Sequence, residues 1–349
     1  MVIDTIRRGD TIRRGPVASI KEPPVIPLKG FDRIPKVDTS DEILDVAFRR
    51  ASSTADKTRG KKFSRDRMAR SREIEKVRIT VIKEVLNQRL ERIFASFPDI
   101  RTMTPFYQEL SRALIDVEQF KRSLGAIRWA QEKIGQFWVM YNSKITKTQD
   151  IHSINPYRRE YYGRIASVVK QIKANLRFLD DCRRTFKQFP VINDALPTVA
   201  IVGFPNVGKT TLLFKLTGSK PEIAPYAFTT QNINVSAFSH QGRIVQVLDT
   251  PGSLNRFEKM NAIEKQAFLA MKYVAHALVY VFDPQESYPL KEQEILYHDL
   301  KKMGKPIFVY ISKEDIAEPP LMKRLAMRFE GETDSELLKE VIIKTISRQ

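Results

Sequence analysis

The sequence is poor in the residues that mark several large protein classes. One cysteine, Cys182, in 349 residues excludes an intramolecular disulfide and a thiolate metal cluster, and it fits a reducing compartment. That cysteine reads as a packing residue on a helix. The four histidines, His152, His240, His276 and His298, are scattered with no metal-ligand spacing, which argues against a zinc site. No run approaches the ~18 apolar residues that a membrane span needs, and the N-terminus has no apolar signal core. These absences lead us to expect a soluble, cytoplasmic protein with no membrane partner.

Positive charge is abundant and unevenly placed. The formal net charge is +18. Residues 1–196 carry 40 Lys and Arg against 24 Asp and Glu, whereas residues 197–349 carry 19 against 17. A large polyanion is the economical partner for the basic half, and we expect RNA and not DNA.

The length allows two domains with separate cores. The chain opens with a tandem repeat, DTIRRG at Asp4–Gly9 and again at Asp10–Gly15, followed by Pro16, Pro23, Pro24, Pro27 and Pro35. Nothing there buries a helical face, so residues 1–35 read as a flexible arm, either touching RNA through its arginines or serving only as a leader. Residues 36–190 read as an antiparallel helical bundle. Thr39 and Glu42 have capping-box spacing ahead of an apolar stripe at Ile43, Leu44, Ala47 and Phe48. A basic stretch follows with Lys61, Lys62, Arg65, Arg67, Arg70 and Arg72. Helical periodicity resumes from Ile74 to Ile93, restarts at Thr104-Pro105, and continues past Trp129 and Trp138. Asn155-Pro156 marks a boundary before a run from Tyr157 to Phe189. Tyr161 and Tyr162, with Arg158, Arg159 and Arg164, form either an RNA-stacking surface or a snorkelling basic-aromatic helix face.

Residues 197–349 alternate strands and helices, as in a three-layer α/β domain with a mostly parallel sheet. The stretch Thr198–Thr211, TVAIVGFPNVGKTT, organises it. An apolar β-rich run leads into Gly203-x-x-x-x-Gly208-Lys209-Thr210 and then a helix, which is the context that makes a phosphate-binding loop credible. Glycines let backbone N–H groups curl around a β-phosphate, Lys209 bridges β- and γ-phosphates, and Thr210 ligates magnesium. The helix N-terminus adds a favourable dipole. Further along, Asp249-Thr250-Pro251-Gly252 ends a strand, with the aspartate holding magnesium's hydration shell and the Gly252 amide reaching a γ-phosphate. Between them, Phe228-Thr229-Thr230 offers a threonine, Thr230 by preference, to complete the metal's coordination. After the strand Ile307–Ile311 comes Ser312-Lys313-Glu314-Asp315, whose carboxylate accepts two hydrogen bonds from guanine and none from adenine.

The motifs GFPNVGKTTL, Tyr-x-Phe-Thr-Thr and Asp-Thr-Pro-Gly resemble the Obg-related branch of translation-factor GTPases. The segments Phe31–Pro35 and Asp45–Ala51 are similar to the helical domain of nucleolar GTP-binding proteins of the Nog type, in an archaeal-length form without the long C-terminal tail. The resemblance runs from Phe31 to the C-terminus. It implies a GTPase acting in large-ribosomal-subunit assembly with its helical domain against ribosomal RNA, monomeric off the ribosome, and nucleolar only in a eukaryotic source. It further implies GTP or GDP contacts from Gly203, Asn206, Val207, Gly208, Lys209, Thr210, Thr211, Phe228, Thr229, Thr230, Asp249, Gly252, Ser312, Lys313 and Asp315. Magnesium would be held by Thr210, Thr230 and Asp249, and Lys209, Thr230 and Gly252 would act in hydrolysis. Asn206 holds a position that in relatives goes with potassium-assisted hydrolysis, which adds potassium as a candidate cation. Three features depart from the pattern. Ser312 stands where asparagine is usual, which predicts weakened loop support. The last guanine-contact motif is not recognisable in 325–334, and Ser253 stands where Ras-type enzymes carry a catalytic glutamine, which predicts slow turnover. An RNA-binding scaffold with a structural nucleotide and a regulator of mature ribosomes are the competing readings.

Overall fold

The computed structural model describes residues 31–59, 66–218, 233–251, 260–285 and 288–346. Residues 1–30 of the repeat-bearing arm, Lys61, Lys62 and Arg65, the segment with Phe228, Thr229 and Thr230, and Gly252 lie outside the described residues. The expectation of a flexible arm to residue 35 is corrected at its end, where Phe31–Arg33 form a 3-10 turn, Phe31 stacks on Phe186 and Ile34 is buried.

Six helices come first: α1 (Ser40–Arg59), α2 (Arg67–Ser96), α3 (Pro105–Leu114), α4 (Val117–Lys147), α5 (Ile151–Gln171) and α6 (Lys173–Lys187). The starts of α1, α2, α4 and α5 are written in the sequence as side chains that satisfy the first free N–H groups. Thr39 and Glu42 exchange both capping-box bonds, at 2.7 and 3.2 Å. Asp66 accepts from the Met68 and Ala69 amides, Asp116 from Gln119 and Asp150 from His152. The last of these moves the expected boundary: α5 starts at Ile151 and carries Pro156 within it. Pro156 stands in the second turn, where it forfeits the backbone bond to the His152 carbonyl, while the Asp150 cap holds the start. The helical run that follows breaks once, at Ile172.

Helix α4 runs antiparallel to α2 on one side and to α5–α6 on the other. Trp138 Nε1 donates to Thr80 Oγ1 at 3.1 Å, and Asn175 Nδ2 to Ser123 Oγ at 3.2 Å. Ile79, Leu86, Leu90, Ile127, Ile134, Ile165 and Leu179 are fully buried between them, and burying each such side chain contributes about 2 kcal/mol. Tyr161 belongs to this core. It is fully buried, packs edge-on against Tyr141 and donates its hydroxyl to the Ile79 carbonyl at 3.2 Å. Neither expectation for Tyr161, an RNA-stacking surface or a snorkelling helix face, holds: its ring is inside, and burial raises its phenol pKa well above the usual range.

The second half comprises β1 (Thr198–Val202), α7 (Lys209–Thr217), β2 (Asn234–His240), β3 (Arg243–Asp249), α8 (Ala262–Tyr273), β4 (Ala277–Phe282), α9 (Leu290–Lys301), β5 (Ile307–Ile311), α10 (Pro319–Phe329) and α11 (Ser335–Ile346). The sheet order is β2-β3-β1-β4-β5, parallel except for the β2–β3 pair. Alternate strand residues feed two cores. Val199, Ile201, Val279 and Val281 pack on α7 and α11. Ala200, Val202, Leu278, Tyr280 and Phe282 pack on the opposite side with α8, α9 and α10. Helix α10 is an element the sequence reading did not include; Pro319 and Pro320 occupy its first turn, where a missing N–H costs nothing.

The two halves share a core. Helix α3 lies on α8, and the buried cluster runs from Tyr107 and Leu110 to Ala267, Leu269 and Met271. The connecting segment is pinned: the Tyr107 hydroxyl donates to the Pro190 carbonyl at 2.8 Å and accepts from the Ile192 amide at 3.1 Å. Gln246 on β3 accepts from the Asn193 amide and donates to Thr198 Oγ1, both at 3.0 Å.

Candidate nucleotide-binding site

The loop between β1 and α7 passes over the carboxyl ends of β4 and β5. It turns through three left-handed or positive-φ residues, Gly203 (φ 150°), Asn206 (φ 62°) and Gly208 (φ 97°). Gly203 is required sterically as well, since a Cβ there would sit 2.9 Å from the Val281 carbonyl oxygen. Asn206 is exposed and is among the few non-glycine residues that adopt this conformation readily.

Lys209 begins α7 and is buried, with Nζ 3.1 Å from the Gly203 carbonyl and 2.6 Å from that of Phe204. The ammonium thus spans the loop from beneath. Burial lowers its pKa to about 8, and the Asp249 carboxylate partly opposes that shift. Thr210 Oγ1 donates to Asp249 Oδ2 at 3.0 Å. Asp249, at the end of β3, is fully buried, and its Oδ1 has no hydrogen-bond partner among the described residues. Burial raises its pKa, against the pull of Thr210 and Lys209. An orphaned carboxylate oxygen beside a threonine hydroxyl is a hard-oxygen donor set of the kind magnesium takes, so these residues fit the metal. Val207 is buried in the turn, and Thr211 is exposed on the first turn of α7.

Ser312, at the end of β5, lies under the same loop. Its Oγ is 2.6 Å from the Val207 carbonyl and 3.0 Å from that of Phe282. A side chain expected to weaken loop support is therefore in direct contact with the loop. Lys313 has a left-handed backbone (φ 56°) and pairs at 2.6 Å with the fully buried Asp283 at the end of β4. Asp315 is exposed on the same turn. The structure also shows what the motifs did not: Asp283 as the anchor of Lys313, and Phe204 stacked on Tyr288 at 4.5 Å. The pairing of Tyr310 with Glu332 adds a short sixth strand position next to β5. It brings Thr333 and Asp334, ahead of α11, to the edge where the unrecognised last motif was sought.

The basic candidates divide by environment. Arg67, Arg70, Arg159 and Arg164 are exposed. Arg72 is turned inward to donate to the Thr148 carbonyl, and Arg158 faces the buried Glu75 at 3.3 Å. Both serve contacts within the bundle.

Two family models match the chain: the NOG1 N-terminal helical domain over residues 31–193 and the 50S ribosome-binding GTPase domain over residues 198–313. An uncharacterized protein of Methanocaldococcus jannaschii is 35% identical over 297 residues, 84% of this chain and 83% of its own. The Nucleolar GTP-binding protein 1 of Drosophila melanogaster is 30% identical over 84% of this chain and 45% of its own, and that of Saccharomyces cerevisiae 31% over 82% and 44%. The chain thus spans less than half the length of these nucleolar relatives. Among solved structures, Aquifex aeolicus Era bound to GDP and aluminium fluoride is 28% identical over 42% of this chain and 56% of its own, with a TM-score of 0.34.

Proposed function

The chain belongs to the family of NOG1-type GTPases, and on that premise we propose that it is a GTP-driven switch in assembly of the large ribosomal subunit, holding ribosomal RNA through its basic helical half. The observation that carries the proposal is the Thr210–Asp249 contact at 3.0 Å beside the buried Lys209.

In this reading Lys209 and the amides at the start of α7 neutralise the β- and γ-phosphates, and the N-terminal dipole of α7 adds to them. Magnesium, when bound through Thr210 and Asp249, supplies charge stabilisation for the phosphoryl group in flight. Asp315 accepts the guanine N–H groups while Lys313, held by Asp283, flanks the base. Thr230 and Gly252 sense the γ-phosphate, and Phe228 and Thr229 are further candidates for nucleotide contact. Ser253 stands in the sequence where Ras-type enzymes carry a glutamine, and slow intrinsic turnover is expected on that ground. Asn206 favours potassium as an accessory cation, and equal hydrolysis in sodium and potassium buffers would remove that assignment.

Helix α8 follows the Asp249–Gly252 motif in sequence and packs against α3, which gives that motif a short route along the chain to the helical half. Co-sedimentation with large-subunit precursor particles tests the function, in a non-hydrolysable GTP analogue and in GDP at two salt concentrations. The expected outcome is salt-sensitive binding in the analogue and release in GDP. Equal binding in both nucleotides would leave an RNA-binding scaffold, and preference for mature ribosomes would replace assembly with regulation of translation.

A further inference from the structure

We propose that the end of the helical bundle remote from the sheet docks the phosphate backbone of RNA; this rests on the assembly role above and places that contact within the basic half. Four helix termini meet at this end, the carboxyl ends of α1 and α4 and the amino ends of α2 and α5. The Arg70 guanidinium donates to the Arg59 carbonyl at 2.9 Å, joining α1 to α2. The Arg72 guanidinium reaches the Thr148 carbonyl across 76 positions of sequence, joining the first turn to the second. Lys144 Nζ lies 3.7 Å from Glu160, and Arg158 closes the set on Glu75. Helix α2 is 30 residues long, so this tip stands about 45 Å from the end that meets α3.

Its carboxylates are mostly committed. Asp66 and Asp150 cap α2 and α5, and Asp56 pairs with Arg59. Glu75 is buried between Arg78 and Arg158, and Glu160 faces Lys144. Glu73 is the remaining exposed acid among the described residues there. Against it stand Lys57, Arg67, Lys147 and Arg159, all exposed and without a partner among the described residues. In the half nearer the sheet Arg89, Arg101, Arg112, Lys121 and Arg128 are each paired with a carboxylate, and the exposed Arg92, Arg122, Arg177 and Lys187, which have no carboxylate partner among the described residues, share that half with the exposed acids Asp32 and Glu84.

Unneutralised cations spread over a convex tip suit a ligand with regularly repeated negative charge, which each cation engages one phosphate at a time. An acidic protein would need apolar or aromatic anchors at the centre of its interface. Among the described residues, none of the large exposed apolar side chains lies in the terminal turns that form this tip.

The test is filter binding of purified large-subunit ribosomal RNA to the whole chain over a series of potassium chloride concentrations. The variant combines Lys57→Gln, Arg67→Gln, Lys147→Gln and Arg159→Gln, and glutamine is itself a good helix former. A control of equal charge change combines Arg92→Gln, Arg122→Gln, Arg177→Gln and Lys187→Gln, on the half nearer the sheet. Circular dichroism and GDP binding report that both variants stay folded. The tip variant should lose at least about tenfold in affinity and flatten the salt slope by about three, one unit or slightly less per lost phosphate contact. The control should lose far less. Equal affinity of tip variant and parent, or an equal loss in the control, overturns the tip while leaving the RNA reading intact. If the parent itself fails to bind the RNA, the assembly reading and the tip fall together. A tip variant that keeps RNA affinity but loses precursor particles would assign the tip to an acidic protein.

Discussion

Lys209 carries a cost that the folded chain bears until phosphate is present. Burial lowers its pKa from 10.5 to about 8, whereas the unfolded lysine keeps its proton to the ordinary value. Between those two values the unfolded state binds more protons, so this group makes stability rise with pH from about 8 to 10.5. Below about 8 the buried charge costs on the order of 3 kcal/mol relative to its absence. Urea unfolding of nucleotide-free protein should therefore find Lys209→Met more stable than the parent at pH 7, with the gap closing by pH 10. A gap that stays constant with pH would mean the side chain is solvated in solution. Ser312 offers a second test. Its hydroxyl contacts the buried Val207 carbonyl, and removing it withdraws a donor at about 1–2 kcal/mol. Ser312→Ala should release a fluorescent GDP analogue on the order of tenfold faster in stopped flow, and an unchanged rate would mean the loop is held by its own turn. The triad Lys209, Thr210 and Asp249 was legible because each member sits in a local motif with a fixed chemical task. The Ser312–Val207 and Lys313–Asp283 contacts were not, because parallel strands bring together residues about 105 and 30 positions apart.

Among the elements, Tyr107 carries the joint between the halves. Its hydroxyl satisfies a carbonyl and an amide of the 190–192 segment, and burial pushes its pKa up to about 12. Tyr107→Phe keeps the ring packing and strands both backbone groups, at a cost of about 1–3 kcal/mol. The expected result is a melting point lower by several degrees with GDP affinity unchanged; no shift would show that water replaces the hydroxyl. The strands were readable because buried parallel strands are short unbroken apolar runs, as in Leu278–Phe282 and Ile307–Ile311. The helices were readable from period and caps, Thr39 with Glu42 being the clearest. The meaning of a proline depends on its place in a turn: Asn155-Pro156 marks no boundary because Pro156 rides inside α5, and α10, which opens on Pro319 and Pro320, was missed. Tyr161 failed for a different reason. A tyrosine among arginines looks exposed until the facing helices are known, and α2 and α4 enclose it.

At the scale of the whole molecule, one buried cluster runs from the helical bundle through α3 and α8 to one face of the sheet, while α7 and α11 close the other face with a core of their own. Nucleotide binding and bundle stability are therefore expected to be thermodynamically linked, since a ligand held at the strand ends stabilises whatever unfolds together with them. The chain contains its own reporter. Both tryptophans, Trp129 and Trp138, lie on α4, so tryptophan fluorescence follows the bundle alone. Saturation with GDP at 100 times its dissociation constant adds about 2.7 kcal/mol to any unit that includes the site. If the halves unfold as one, the fluorescence-monitored urea midpoint should rise with GDP by the same amount as the midpoint from circular dichroism. A fluorescence midpoint that ignores GDP, with a dichroism curve that splits in two, would show that the α3–α8 contact is too weak to couple the halves. The bundle would then be a passive RNA-binding handle, and the switch would have to act through contacts made only on the ribosome.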